Sequence, residues 1–79
     1  MQLNNTKIVF MLELVILDWG PKPGAVIAAL RRCENFSMDE IKRLRKQQKA
    51  IVKRGHEHRD FIALERAIKE AGGTVDIQY

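Results

Sequence analysis

The sequence has a single cysteine, Cys33, and no apolar run long enough to cross a bilayer as a helix. One cysteine excludes an internal disulfide, so packing alone must hold the chain together, as suits a reducing cytosol. The most apolar run, Ile8 to Leu17, has about half the required length, and it lacks both a basic leader and a small-residue cleavage site. We therefore expect a soluble, cytoplasmic protein with no membrane partner.

Motifs for catalysis and for cofactor or metal binding are also missing. There is no nucleophile motif and no glycine-rich phosphate loop, and Asp39-Glu40 is explained by a helix cap. His56 and His58 flank Glu57, but side chains two residues apart do not share a helix face, and no further cysteine or histidine is near in sequence. We expect no enzyme, no cofactor and no metal.

The rest of the composition is typical of an ordinary globular domain, with 46% hydrophobic and 30% charged residues among 79. This length permits one domain. We assign it to residues 8–79, because residues 1–7 are polar and asparagine-rich and predict a flexible N-terminus. The formal net charge of +4 permits an acidic partner, either nucleic acid or the acidic face of a protein.

The hydrophobic periodicity predicts three strands and three helices. Apolar residues alternate near both ends of the chain, as in strands, and recur at three- and four-residue spacing between them, as in helices. A proline- and glycine-rich loop interrupts the pattern after the first strand. The predicted elements are a strand at Ile8–Leu17, a loop at Asp18–Gly24, a helix at Ala25–Cys33, a helix from Met38, a short strand at Ala50–Val52, a helix at about Glu57–Ala71 and a strand at Thr74–Gln78.

Local signals predict helix ends and buried faces. Ser37 and Glu40 have the capping-box spacing, and Gly72-Gly73 predicts the end of the last helix. Trp19 either folds over the sheet edge or serves as an exposed anchor for a partner. The side chains predicted to form apolar helix faces are Val26, Ala29, Leu30 and Cys33 on the first helix, Met38, Ile41 and Leu44 on the second, and Phe61, Leu64, Ile68 and Ala71 on the third.

This set of elements indicates a fold class. Three helices and three strands in so short a chain favour helices packed on one face of a mainly antiparallel sheet. We predict an α+β, two-layer sandwich with the order β-α-α-β-α-β.

Several short motifs, in order and without gaps, carry a family resemblance. They are a first strand ending in Gly20-Pro21-Lys22, followed by Ala25-Val26-Ile27, Arg31, Glu40, Lys42, Lys53, Gly55, Ala63-Leu64, Glu70-Ala71-Gly72 and Val75. Through these residues the segment from Leu12 to Gln78 resembles the C-terminal domain of the bacterial ribosomal stalk protein, the L-seven/L-twelve family. The resemblance implies the same sandwich fold, which the Clp protease adaptor shares.

The resemblance also implies a binding role without chemistry. In the family this domain recruits translational GTPases through its first two helices, so the partner expected here is a protein with an acidic or mixed surface, for example a translation factor or the ribosome. The family's dimerisation domain is absent, which implies a monomer. The matching surface residues are Ile27, Arg31, Met38, Glu40 and Lys42, to which the basic second helix adds Arg45 and Lys46.

Some positions depart from the family pattern. Pro23 and Ala28 stand where the family's factor-binding face usually has lysines, and Asn35-Phe36-Ser37 replaces its glycine-flanked turn. The acidic Asn-Asp-Asp loop of the Clp protease adaptor is not found at Asp18-Trp19-Gly20, which disfavours that role. The departures point to a changed partner.

A basic stretch leaves the class of partner open. It is compatible with a solvated helix face, with an acidic protein partner, or with a small basic nucleic-acid-binding protein, although no aromatic residue is interleaved for base stacking. A phage or bacterial inhibitor or immunity-like protein on the same scaffold is a further alternative. The stretch has no acidic residue, and its basic residues are Lys42, Arg43, Arg45, Lys46, Lys49, Lys53 and Arg54.

Overall fold

The structure is a computed structural model that describes residues 11–79. Within this range it confirms an α+β fold with three helices and a three-stranded antiparallel sheet. The predicted flexible N-terminus at 1–7 and the predicted strand residues 8–10 lie outside the described residues. The elements are β1 at Leu12–Asp18, α1 at Pro23–Glu34, α2 at Met38–Arg45, β2 at Ala50–Gly55, a 3₁₀ helix at His58–Asp60, α3 at Ile62–Glu70 and β3 at Thr74–Gln78.

The sheet has the order β2-β1-β3, so β1 is its central strand. Both neighbours run antiparallel to β1, and Val15 pairs with Ile51 on one side and Asp76 on the other. Between Leu14 and Val15 the register with β2 shifts by one residue, which leaves Val52 as the extra residue of a bulge. The bulge makes Val52 and Lys53 consecutive residues on the helix side of β2.

All three helices pack on the same face of the sheet. Leu14 and Ile16 share that face because successive side chains of a strand alternate, and both are buried. On the opposite face Val15 is buried, but Leu17 is 55% exposed. The buried core consists of Leu14, Ile16, Val26, Leu30, Ile41, Leu44, Ala50, Val52, Phe61, Leu64 and Ile68.

Helix α1 begins two residues earlier than the sequence pattern predicted. The prediction placed Pro23 and Gly24 in the loop, whereas Pro23 occupies the first turn of the helix. Proline fits there because the first helical amides have no partner within the helix, and its fixed φ is already helical. The strand before the loop also ends later than predicted, at Asp18, whose Oδ1 accepts a hydrogen bond of 2.7 Å from the Gly20 amide.

Two predicted core positions are wrong. Cys33 is exposed, and Met38 is 42% exposed, although both follow the apolar spacing of their helices. Cys33 lies in the last turn of α1 and Met38 in the first turn of α2, on either side of the connecting turn. Periodicity gives the direction of a side chain, but it does not tell whether another element lies opposite a helix end.

The predicted helix at Glu57–Ala71 is divided. The 3₁₀ helix comes first, and α3 begins after Phe61, which is buried. Asp60 Oδ2 accepts hydrogen bonds from the amides of Glu57 and His56, each at 3.0 Å, and these bonds lower the pKa of the Asp60 carboxyl. The side chain of Asp60 therefore satisfies the two amides that precede the 3₁₀ helix and caps its start.

Candidate protein-binding surface on the first two helices

A tight turn connects α1 to α2. Asn35 ends α1 in the left-handed conformation, with φ of 55°, and its amide donates to the Arg31 carbonyl at 3.2 Å. Asparagine tolerates this conformation better than most residues. Ser37 then caps α2, so the chain reverses between the basic last turn of α1 and the start of α2 within three residues.

The capping box predicted at Ser37 is present, and it engages Glu40. The Ser37 Oγ accepts from the Glu40 amide at 3.1 Å, and Glu40 Oε1 accepts from the Ser37 amide at 2.9 Å. The hydrogen bond from the Ser37 amide, followed by that from its hydroxyl, lowers the pKa of the Glu40 carboxyl. Glu40 was predicted to contact a partner, and the structure places its carboxylate in the helix cap.

The two apolar residues of the predicted partner surface differ in exposure. Ile27 is half-buried and packs against the core, so only part of its side chain faces solvent. Met38 is 42% exposed in the first turn of α2. Met38 is thus the more accessible apolar side chain of the two.

The basic residues divide into two groups by their ion pairs. Lys49 and Arg54 both lie beside the Glu13 carboxylate, at 3.8 and 3.2 Å, and Lys53 lies 3.4 Å from Glu34. In contrast, the exposed basic residues of α1 and α2 have no ion pair within residues 11–79. These residues, which we call the helix cations, are Arg31, Arg32, Lys42, Arg43, Arg45 and Lys46.

Arg45 has an aromatic neighbour instead of a carboxylate. Its guanidinium carbon lies 5.1 Å from the centroid of the Trp19 ring, a distance typical of a cation–π contact. Trp19 is half-buried and packs against the core, which agrees with the packing alternative. The contact ties the loop after β1 to the end of α2.

Phe36, in the turn between the helices, was not among the predicted surface residues. It is half-buried, packs on the edge of the core, and borders two open depressions. The larger, of about 490 Å³, is lined by Ala28, Arg31, Arg32, Asn35 and Phe36. The smaller, of about 200 Å³, is lined by Phe36, Glu40, Arg43, Leu44, Gln47 and Ile51. An aromatic residue in the turn that follows the basic end of α1 was the available sequence signal.

The histidines lie away from this surface. His58 Nε2 is 3.3 Å from Glu65 Oε1, whose other oxygen lies 3.2 Å from Lys69 Nζ. Residues 11–79 contain no group of three or more histidine, cysteine, aspartate or glutamate side chains placed to hold a metal ion. In the same part of the chain, no helix has the length and apolarity needed to cross a membrane.

No protein-family model matches the chain, and no curated protein matches it significantly.

Proposed function

We propose that this chain is a non-catalytic interaction module that docks on an acidic protein surface through α1 and α2. The observation that carries the proposal is the division of the basic residues. The cations of β2 and its preceding loop neutralise Glu13 and Glu34 within the fold, whereas the six helix cations have no ion pair among residues 11–79. Unpaired charges gathered on two adjacent helices attract an oppositely charged partner and speed the encounter.

The resemblance to the ribosomal stalk domain supports the same face, because that family recruits its partners through the corresponding helices. On this basis a translational GTPase or another translation component is the first partner to test. The predicted contact residues Ile27 and Glu40 take a smaller part in the proposal, since Ile27 packs on the core and Glu40 caps α2. Arg31, Met38, Lys42, Arg45 and Lys46 remain its principal contacts.

A pair of charge reversals tests the location of the binding face. Lys42 lies on α2, and Arg66 lies on α3; both are exposed and neither has an ion pair within the described residues. Lys42→Glu and Arg66→Glu change the net charge equally. We expect Lys42→Glu to weaken partner binding by up to about fivefold, since each exposed charge pair contributes up to about 1 kcal/mol.

The measurement has two stages. The immobilised chain captures partners from a lysate of its source cells, and each captured protein is purified and titrated against the wild type and both variants by calorimetry. Thermal unfolding of the variants confirms that each is folded. An acidic partner that binds the Arg66→Glu variant like the wild type, but the Lys42→Glu variant more weakly, supports the proposal. Equal binding by the two variants contradicts it.

A further inference from the structure

Phe36 is the centre of a surface that combines apolar contact with positive charge. On one side it borders the smaller depression together with Leu44 and Ile51, so three hydrophobic side chains meet there. On the other side it borders the larger depression with Arg31 and Arg32. We call this surface, formed by the two depressions, the Phe36 surface.

Three of the four charged residues that line the two depressions are basic. Arg31 and Arg32 line one depression and Arg43 lines the other, and none of the three has an ion pair within residues 11–79. The one carboxylate in the lining belongs to Glu40, and it accepts the hydrogen bond that caps α2. Its charge is thus held at the helix end, where the hydrogen bonds with Ser37 and then the charge of Arg43 lower the pKa of its carboxyl. Arg31 and Arg32 have no ion pair within residues 11–79.

We infer that the Phe36 surface binds an acidic peptide segment of the partner that carries one aliphatic or aromatic side chain between its carboxylates. The apolar side chain contacts Phe36, Leu44 and Ile51 in the smaller depression. The flanking carboxylates pair with Arg31 and Arg32 on one side and with Arg43 on the other. A planar guanidinium suits this task because it binds a carboxylate through two parallel hydrogen bonds.

Charge complementarity selects this occupant over a second copy of the chain. A second copy would bring its own six helix cations against the same arginines. A wholly acidic segment would pair with the arginines but leave the exposed parts of Phe36 and Ile51 in contact with water. An acidic segment with a single apolar residue satisfies both parts of the surface. This inference rests on the proposed function and adds Phe36 to Met38 as an apolar contact.

Two matched peptides test it. Both are glutamate-rich and labelled with fluorescein, and they differ at one central position, which is leucine in the first and serine in the second. We expect the wild-type protein to bind the leucine peptide about 3- to 10-fold more tightly at low ionic strength, as partial burial of one aliphatic side chain predicts. In amide NMR spectra the leucine peptide should shift Phe36, Leu44 and Ile51, whereas the serine peptide should not.

Variants at Phe36 supply the control. Phe36→Ser should abolish the preference for leucine but keep the salt-sensitive binding of both peptides, and Phe36→Leu should retain the preference. Because Phe36 packs on the core, each variant is first examined by thermal unfolding. If Phe36→Ser does not fold, the inference is tested by the amide shifts of the wild type and by whether Phe36→Leu retains the preference for leucine.

The other outcomes separate this inference from the proposed function. In one outcome the two peptides bind equally, their binding is sensitive to salt, and Lys42→Glu weakens it. This outcome would overturn the role of Phe36 and leave the acidic-partner proposal standing. Failure of both peptides to bind at low ionic strength would count against both. A leucine preference whose amide shifts fall outside the Phe36 surface would also overturn the inference.

Discussion

Gly20 illustrates how a single residue joins two parts of this fold. Its φ of +81° lies in the left-handed region, and a Cβ built on it would collide with the backbone carbonyl of Gly72. The loop after β1 therefore approaches the turn after α3 at a distance that only glycine permits. We expect Gly20→Ala to lower the free energy of unfolding by about 2–4 kcal/mol, as left-handed strain and backbone displacement add. Urea unfolding measures this loss.

Gly24 provides the matched control for that prediction. It lies inside α1, and a Cβ added there meets no atom within 4 Å. Alanine is the better helix former by about 1 kcal/mol, so Gly24→Ala should leave stability unchanged or raise it slightly. If Gly20→Ala proved as stable as Gly24→Ala, this would contradict the claim that the close approach of Gly20 to Gly72 requires glycine.

At the scale of one element, the cap of α2 should contribute a measurable share of stability. The Ser37 hydroxyl satisfies the amide of Glu40, which has no partner within the helix. We expect Ser37→Ala to lower the free energy of unfolding at neutral pH by about 1 kcal/mol. Ser37→Asp should retain most of the stability, since aspartate caps equally well. Equal losses in the two variants would contradict a role for the side-chain acceptor.

The same cap should depend on pH through Glu40. Its pKa is lowered from the ordinary value of 4.5 because its carboxylate accepts the Ser37 amide, so the ionised form is bound more tightly in the folded chain. A depressed pKa contributes stability that is complete above 4.5 and is lost as the pH falls through the folded-state value. Glu40→Gln keeps an acceptor but does not titrate. Its difference in unfolding free energy from the wild type should therefore shrink on acidification, and a difference independent of pH would contradict this account.

Elements with strong local signals could be predicted from sequence to the residue. Helix α2 begins at Met38 as the capping box predicted, and β3 spans Thr74–Gln78 as its alternation predicted. The exposure of Cys33 and the first residue of α3 could not be predicted, because each depends on contacts outside its own helix. The exposure of Cys33 follows from where α1 ends, and the 3₁₀ helix that precedes α3 is capped by hydrogen bonds that Asp60 accepts from the preceding backbone.

The positive charge of the candidate surface could be predicted from the sequence, but the ion pairs of its basic residues could not. Sequence alone identified the basic stretch, yet the partners of Arg54 and Lys53 lie 41 and 19 residues away along the chain. These contacts depend on the pairing of β1 with β2 and on the packing of α1, which periodicity does not specify. For the same reason Phe36 was missed, since the depressions beside it form only when α1, α2 and β2 come together.

At the scale of the whole molecule, the net charge of +4 is unevenly distributed. Lys49, Lys53 and Arg54 form ion pairs with Glu13 or Glu34 and so add little free positive charge to the surface. Within residues 11–79, Lys22 and Arg66 are the unpaired basic residues outside α1 and α2. The helix cations thus concentrate the unpaired positive charge on α1 and α2, and charge steering should orient an acidic partner towards these helices.

This distribution predicts weak binding to nucleic acid. Of the seven basic residues from Lys42 to Arg54, the four without an ion pair lie in or directly after α2, an eight-residue helix about 12 Å long. That length matches about three or four phosphates on one strand, so the slope of log affinity against log salt should not exceed about −4 for duplex DNA. We expect no measurable binding at physiological salt in fluorescence anisotropy.

At low salt, Lys46→Ser should flatten the slope of log affinity against log salt more than Lys49→Ser does, because Lys49 already lies beside Glu13. Tight binding at physiological salt would instead assign this face to nucleic acid, and equal effects of the two variants would contradict the role of the ion pair between Lys49 and Glu13.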